Sequence, residues 1–317
     1  MGRRLAIVLV VGLLAAAVAL AVVLGREPGR GPEAGRSAGP VTEAGQRGAR
    51  PGAPPRAETS RSRLLGVVPA PGTEASGLAA SRANPRVVWT HNDSGGEPNL
   101  YALGSDGEIR ATLPLAGAGN IDWEDMARGP GAPGEPDWLY AGDIGDNGAS
   151  RDSVRVYRVA EPDLGASAAG AVLAPAPAGC VNLLYPDGPR DAEALVVDPG
   201  SGDLFVITKR EDRSRVYRAR APAFAGETVT LEYLRELREG LVTAADACPD
   251  GKTVLVRSYF GLDAYTGSSV AAARRRPPSP RLAEIEPQGE AVAAAPDCRG
   301  YYTLSEGSGQ PLIRYLR

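Results

Sequence analysis

Asp122-Trp-Glu-Asp-Met-Ala, followed by Trp138-Leu-Tyr-Ala-Gly-Asp and Val154-Arg-Val-Tyr-Arg-Val, forms a module that the chain repeats. A second copy reads Asp191-Ala-Glu-Ala-Leu-Val-Val-Asp, Leu204-Phe-Val-Ile-Thr-Lys and Ser214-Arg-Val-Tyr-Arg-Ala. Three more open at Glu74-Ala-Ser-Gly-Leu-Ala-Ala, Ala245-Asp-Ala-Cys-Pro-Asp-Gly and Gly289-Glu-Ala-Val-Ala-Ala-Ala-Pro-Asp. Each unit has a small-residue strand marked by an acid, a β-rich strand ending in polar residues, and a short strand around Tyr. Aligned on Ser76, Glu124, Glu193, Asp246 and Glu290, the units lie 48, 69, 53 and 44 residues apart. One such unit cannot bury both faces of its own sheet, so repetition at this period points to blades stacked around an axis.

The fold expected is therefore an all-β β-propeller of five four-stranded blades, with room for a sixth in residues 161–190. Fourth strands are readable at Glu108-Ile-Arg-Ala-Thr-Leu-Pro-Leu, Thr228-Val-Thr-Leu-Glu-Tyr-Leu and Arg281-Leu-Ala-Glu-Ile. Arg274-Arg-Arg-Pro-Pro is expected to be a solvated excursion between blades, after a short helix-like turn. The last unit stops after its third strand, whereas Arg63-Leu-Leu-Gly-Val-Val-Pro stands unpaired ahead of the first, so the two ends should close the ring together.

Ahead of the repeats, residues 5–24 carry no charge and follow Arg3 and Arg4. As a helix they would span about 30 Å, enough to cross a bilayer. The expectation for 1–25 is a transmembrane signal anchor or a signal peptide, with everything beyond it extracytoplasmic, either secreted or anchored to the membrane through 5–24. Residues 26–62 are rich in Pro, Gly and Arg and nearly devoid of aliphatic side chains, the composition of a disordered linker. The propeller occupies 63–317. With a basic linker and a net charge of −3 for the chain, the repeat domain is acidic, which disfavours nucleic acid as a partner. A single histidine removes sites that need two, and Cys180, Cys248 and Cys298 lack C-x-x-C spacing, which disfavours a cysteine-built metal site. Cys248 and Cys298 occupy similar Pro-Asp turns of neighbouring units, where a disulfide is one option.

Because consecutive strands of a blade are antiparallel, the start of the first and the end of the second share one rim. The acids Glu124, Glu193, Asp246 and Glu290 should ring the axis there and hold a divalent cation, calcium or another, since gathered carboxylates repel unless a counter-charge sits among them. Around them His91, Asp93, Asp143, Asp146, Lys209, Arg257 and Glu306 are the expected ligand-binding residues, with Lys209 and Arg257 facing a small anionic group. The function expected is a cation-binding propeller. The alternatives are a metal-dependent phosphoesterase or lactonase at the same rim, and a structural propeller whose acids only accept backbone N–H groups. The sequence does not decide whether the protein is an enzyme.

The runs His91-Asn-Asp-Ser-Gly-Gly, Asn120-Ile-Asp-Trp-Glu-Asp-Met-Ala, Gly142-Asp-Ile-Gly-Asp-Asn, Gln288-Gly-Glu-Ala and Ser305-Glu-Gly carry a resemblance over nearly all of 64–317. The domain resembles a family of secreted bacterial β-propeller proteins without an assigned function. More remotely it is similar to propeller phytases and gluconolactonase-type propellers, and that likeness implies an ion at the propeller axis, with no catalytic residue carried over.

Overall fold

The computed structural model describes residues 61–316 apart from 70, 71, 73, 166–169, 211, 282–285 and 287, so the expected membrane segment and linker lie outside the described residues. Strand β1 (Arg61–Val67) comes first. Blade 1 follows as β2 (Ala75–Ala80), β3 (Val88–Asn92), β4 (Asn99–Leu103) and β5 (Ile109–Ala116). Blade 2 begins with β6 (Trp123–Gly129), β7 (Trp138–Asp143) and β8 (Val154–Ala160). After it the chain places β9 (Ala171–Val172) and β10 (Ala176–Pro177) against β5, and β11 (Gly179–Leu184) against β8. Residues 161–190 thus thicken blades 1 and 2 and form no blade of their own.

Blade 3 comprises β12 (Ala192–Val197), β13 (Leu204–Thr208), β14 (Arg215–Ala219) and, after β15 (Ala225–Thr230), β16 (Glu232–Glu236). The run read as one fourth strand is split at buried Leu231, so that β15 pairs in parallel with β11 of blade 2 while β16 completes blade 3. Blade 4 is β17 (Val242–Ala247), β18 (Thr253–Ser258), β19 (Gly261–Thr266) and β20 (Arg274–Arg281). The arginine-proline run, expected to be an excursion, is that outer strand. Its missing N–H groups cost nothing on an edge, and its register slips between Ala264 and Thr266. Blade 5 is β21 (Gly289–Ala294), β22 (Gly300–Ser305), β23 (Pro311–Leu316) and β1, which pairs antiparallel with β23. The expected closure by both chain ends is observed, and the propeller has five blades. Among the described residues no helix is long and apolar enough to cross a membrane.

Five hydrophobic clusters hold the ring, one at each blade interface. Trp89 and Leu100 meet Trp123 and Met126 between blades 1 and 2, and Tyr140 and Leu183 meet Leu195 and Tyr217 between blades 2 and 3. Equivalent clusters join blades 3 and 4, 4 and 5, and 5 and 1. At the axis the inner strands β2, β6, β12, β17 and β21 are buried at every position except the half-buried Arg128 of β6, and they pack side by side in a closed circuit. Ala, Gly and Ser dominate these strands because large side chains from five directions would collide.

An inner strand has a partner on one side only, which leaves N–H groups facing the axis without a ladder. Asp125, fully buried on β6, supplies the missing acceptor. Its Oδ2 receives the N–H of Leu195 on β12 (2.9 Å) and of Ala245 on β17 (3.1 Å), while Oδ1 receives Met126 N–H (2.8 Å). One carboxylate therefore joins blades 2, 3 and 4. Asp246 repeats the device between blades 4 and 5, accepting from Ala294 (2.8 Å) and Ala247 (2.8 Å).

Truncating Asp125 should leave these donors unsatisfied. Asp125→Ala is expected to lower unfolding free energy by about 3–5 kcal/mol in urea, far more than Glu232→Ala at an exposed position of β16. His91, with its ring edge-on to Trp123 at 5.2 Å, is fully buried, and that burial lowers its pKa to about 4. Unfolded chain binds that proton near pH 6.5, so the stability associated with a neutral His91 is intact above about pH 6.5 and is lost as pH falls toward 4. As the chain's sole histidine, it gives one imidazole NMR signal, expected to stay neutral at pH 5.5; a midpoint near 6.5 would contradict its burial.

Candidate functional site

Every inner strand carries a β-bulge in its second or third position. The ladder skips one residue between Ser76 and Leu78, Trp123 and Asp125, Ala192 and Ala194, Val242 and Ala244, and Gly289 and Ala291. The skipped residues are Gly77, Glu124, Glu193, Thr243 and Glu290. They are the true equivalents of the repeat, so the alignment through Ser76 and Asp246 is corrected by one residue in blade 1 and three in blade 4. Asp246 lies deeper in the channel on the backbone amides described above, apart from the rim. A bulge leaves its extra residue unpaired and re-aims it, which brings the three glutamates to one mouth.

Two blades lack the acid for identifiable reasons. Gly77 has φ +71°, and a Cβ there would press on the Met126 amide nitrogen at 2.5 Å, so blade 1 approaches β6 too closely for a side chain. Thr243 turns its hydroxyl to the Gly289 carbonyl oxygen (2.8 Å), linking blades 4 and 5.

The second strands supply the facing positions, which by register are Asn92, Ile144, Lys209, Tyr259 and Glu306. Lys209 Nζ donates to Glu193 Oε1 at 2.6 Å and to the Tyr259 hydroxyl oxygen at 2.9 Å, and Tyr259 donates to Glu290 Oε1 at 3.0 Å. Burial works against the Lys209 charge, yet Glu193 and Glu290 outweigh it and hold the ammonium above its ordinary range. This chain joins blades 3, 4 and 5.

Across the mouth the charges are of one sign. Carboxylate oxygens of Asp93, Asp122 and Glu124 lie within 4.8 Å of one another, and so do those of Glu124, Asp191 and Glu193. Glu124 belongs to both groups. Burial first, then Glu193, Asp93 and Asp122, push its carboxyl well above the usual range, with Lys209 opposing. Burial and Asp122 likewise raise Asp93 to about 6. Gly145 borders the pair, since a Cβ at this glycine would overlap Glu124 Oε1 and Asp122 Oδ2.

The remaining expected residues have other engagements. Asp143 receives Asp122 N–H (3.0 Å) and pairs with Arg151 (2.9 Å), while Asp146 caps the amides of Ser150 (2.9 Å) and Arg151 (2.8 Å), so both shape the loop that carries Gly145. Arg257 turns away into a buried pair with Glu286 (2.8 Å). His91 is inside the blade 1–blade 2 interface. Glu306 is on the rim, hydrogen-bonded by Gln288 Nε2, and burial followed by Glu290 and Asp93 raises it to about 7. Asp122, Asp191 and Tyr259 are members of the cluster that sequence reasoning did not select. The signal for the first two was the twice-repeated Asp-x-Glu, Asp122-Trp-Glu124 and Asp191-Ala-Glu193.

No family model and no curated protein matches the sequence. Among solved structures the chain is similar to the soluble aldose sugar dehydrogenase of Escherichia coli in its apo form, with a TM-score of 0.48, 10% identity and coverage of 81% of this chain and 99% of that one. The PQQ-bound aldose sugar dehydrogenase of Streptomyces coelicolor gives a TM-score of 0.44 at 12% identity, over 81% and 98% of the two chains. A chain of a nidogen/laminin complex gives 0.42 at 14%, over 74% and 73%.

A raised carboxyl pKa means that the folded state binds its proton more tightly than the unfolded chain. Its charged form therefore weakens the fold as pH rises through the folded value. For Glu306→Gln, which keeps an acceptor for Gln288, the variant and parent should be equally stable below about pH 5. Above about pH 7 the variant should be more stable by about 1–2 kcal/mol, allowing for partial exposure. Denaturant titrations at the two pH values decide it.

Proposed function

We propose that the axial rim of this propeller binds a divalent metal ion between Asp93, Asp122 and Glu124, with Asp191 and Glu193 on its flank. The observation that carries the reading is Glu124, one carboxylate shared by two convergent acid groups on a bulge repeated in the fold. Its donors are all oxygen, the set preferred by calcium, magnesium and manganese over softer metals. The Lys209–Tyr259 chain takes up Glu193 and Glu290, which leaves the blade 1–blade 2 side of the mouth as the more negative. Bound there, a cation would compete with the protons that burial and neighbouring carboxylates lead Glu124 and Asp93 to hold more tightly.

The apolar run at 5–24 supports placing the rim outside the cytoplasm, where calcium is abundant, and makes the membrane the expected partner of an uncleaved chain.

The test is thermal unfolding with calcium, magnesium or manganese against chelator. At 100 times its dissociation constant the ion adds about 2.7 kcal/mol, a rise in Tm of roughly 5–10 °C for a domain of this size. Glu124→Gln should abolish the rise, and Gly145→Ala should reduce it by filling the space beside both carboxylates. Equal melting in all ions and in chelator at neutral pH would sink the proposal. Lowering pH from 7.5 to 5.5 should shrink the rise, because protons compete for Asp93 and Glu124.

A further inference from the structure

At the opposite end of the blades from the acidic rim, the turns after β17 and β21 bring together residues that are distant in sequence. The Sγ atoms of Cys248 and Cys298 and a carboxylate oxygen of Asp250 lie within 4.8 Å of one another, and the two thiols are hydrogen-bonded. Cys248 begins the turn of blade 4, its N–H on Thr253 O (2.8 Å) and its carbonyl oxygen receiving Gly251 N–H (2.8 Å). Cys298 belongs to the neighbouring turn of blade 5, its N–H on Ala295 O (2.9 Å). Within these equivalent turns the two cysteines stand three positions apart, Cys298 matching Gly251 and Cys248 matching Ala295.

We infer that Cys248, Cys298 and Asp250 form a second metal site, chemically distinct from the rim, for a thiolate-preferring divalent ion of the zinc class. The donors are two sulfurs and one oxygen, a set that suits zinc and excludes calcium. An ion bonded at about 2.3 Å to each sulfur and about 2.0 Å to oxygen needs donors under about 4.6 Å apart, which small side-chain rotations deliver here. Cys248 is buried, Cys298 half-buried and Asp250 exposed, so the site is walled by protein on one side and open to solvent on the other. Three protein ligands leave the fourth tetrahedral position for water. The third ligand favours a metal over a disulfide, which has no use for Asp250. The structure itself holds the cysteines as free thiols. Binding replaces two thiol protons with one ion, releases both to solvent, and joins blade 4 to blade 5.

The test titrates the reduced full-length chain with Co²⁺ as a spectroscopic substitute, then with Zn²⁺. The expected result is one Co²⁺ with a thiolate-to-cobalt charge-transfer band, displaced by Zn²⁺. Cys248 and Cys298 should be protected from alkylation in the loaded protein while Cys180 stays reactive. Cys298→Ser should lose the band. Asp250→Asn, a change at an exposed position that spares the fold, should weaken cobalt affinity. Glu124→Gln should retain the band in full, which separates this site from the carboxylate rim. Absence of the band in the reduced chain, its persistence in Cys298→Ser, or a Cys248–Cys298 disulfide whose reduction restores no cobalt binding would each overturn the inference.

Discussion

A propeller's inner strands have no neighbour on the axial side, and the domain depends on how their N–H groups are satisfied. Asp125 answers for blades 2, 3 and 4 at once, and Asp246 ties blade 4 to blade 5. Both carboxyls are raised by burial, Asp246 to about 7, so holding them there has an electrostatic cost that the amides offset. Hydrophobic clusters fasten each blade to the next, but these acids tie the inner strands across the axis. The structural reading of axial acids thus describes Asp125 and Asp246, while the ligand reading is confined to the bulged glutamates above them.

The separation follows from a single backbone irregularity. A regular strand would alternate its side chains and send consecutive acids to opposite faces. With a bulge before Asp125, Glu124 remains at the mouth and Asp125 enters the channel, although the two are adjacent in sequence. The same bulge in blades 3 and 5 brings Glu193 and Glu290 to the mouth, where Lys209 and Tyr259 of the second strands meet them. Blade 1 contributes from its loop instead, through Asp93, because Gly77 leaves no room at the bulge. The asymmetry of the mouth, paired on one side and like-charged on the other, comes from glutamate at this position in three blades, Gly77 and Thr243 in the other two, and from the different partners that the second strands and loops supply.

Much of the architecture was legible in the sequence because each blade writes the same three strands: small residues, then β-branched residues, then Tyr. The closure of β1 on β23 was legible from a strand left over at each end. Outer strands were harder, since the outermost strand of a blade has loose packing demands and admits Pro277, Pro278 and Pro280 or the two-way division at Leu231. Glu124, Glu193, Glu290, Lys209 and Glu306 were legible as rim residues because bulge and strand end recur. Asp246 was misaligned because blade 4 places Thr243 where blades 2, 3 and 5 place glutamate, and pattern matching slid to the nearest carboxylate. Arg257 was read toward the axis, but the position equivalent to Lys209 is Tyr259, two residues further on, and Arg257 pairs with Glu286 instead. The similar Pro-Asp turns of Cys248 and Cys298 offered their approach as one option, and the turn geometry, which spacing does not give, decides it.

The pairing of β1 with β23 places a temporal demand on the molecule. Strand β1 must wait for β23, near the other end of the described residues, before its hydrogen bonds exist, and until then Leu65 and the open flank of blade 1 have no cover. Such a long-range contact makes for slow folding and a long interval of exposure.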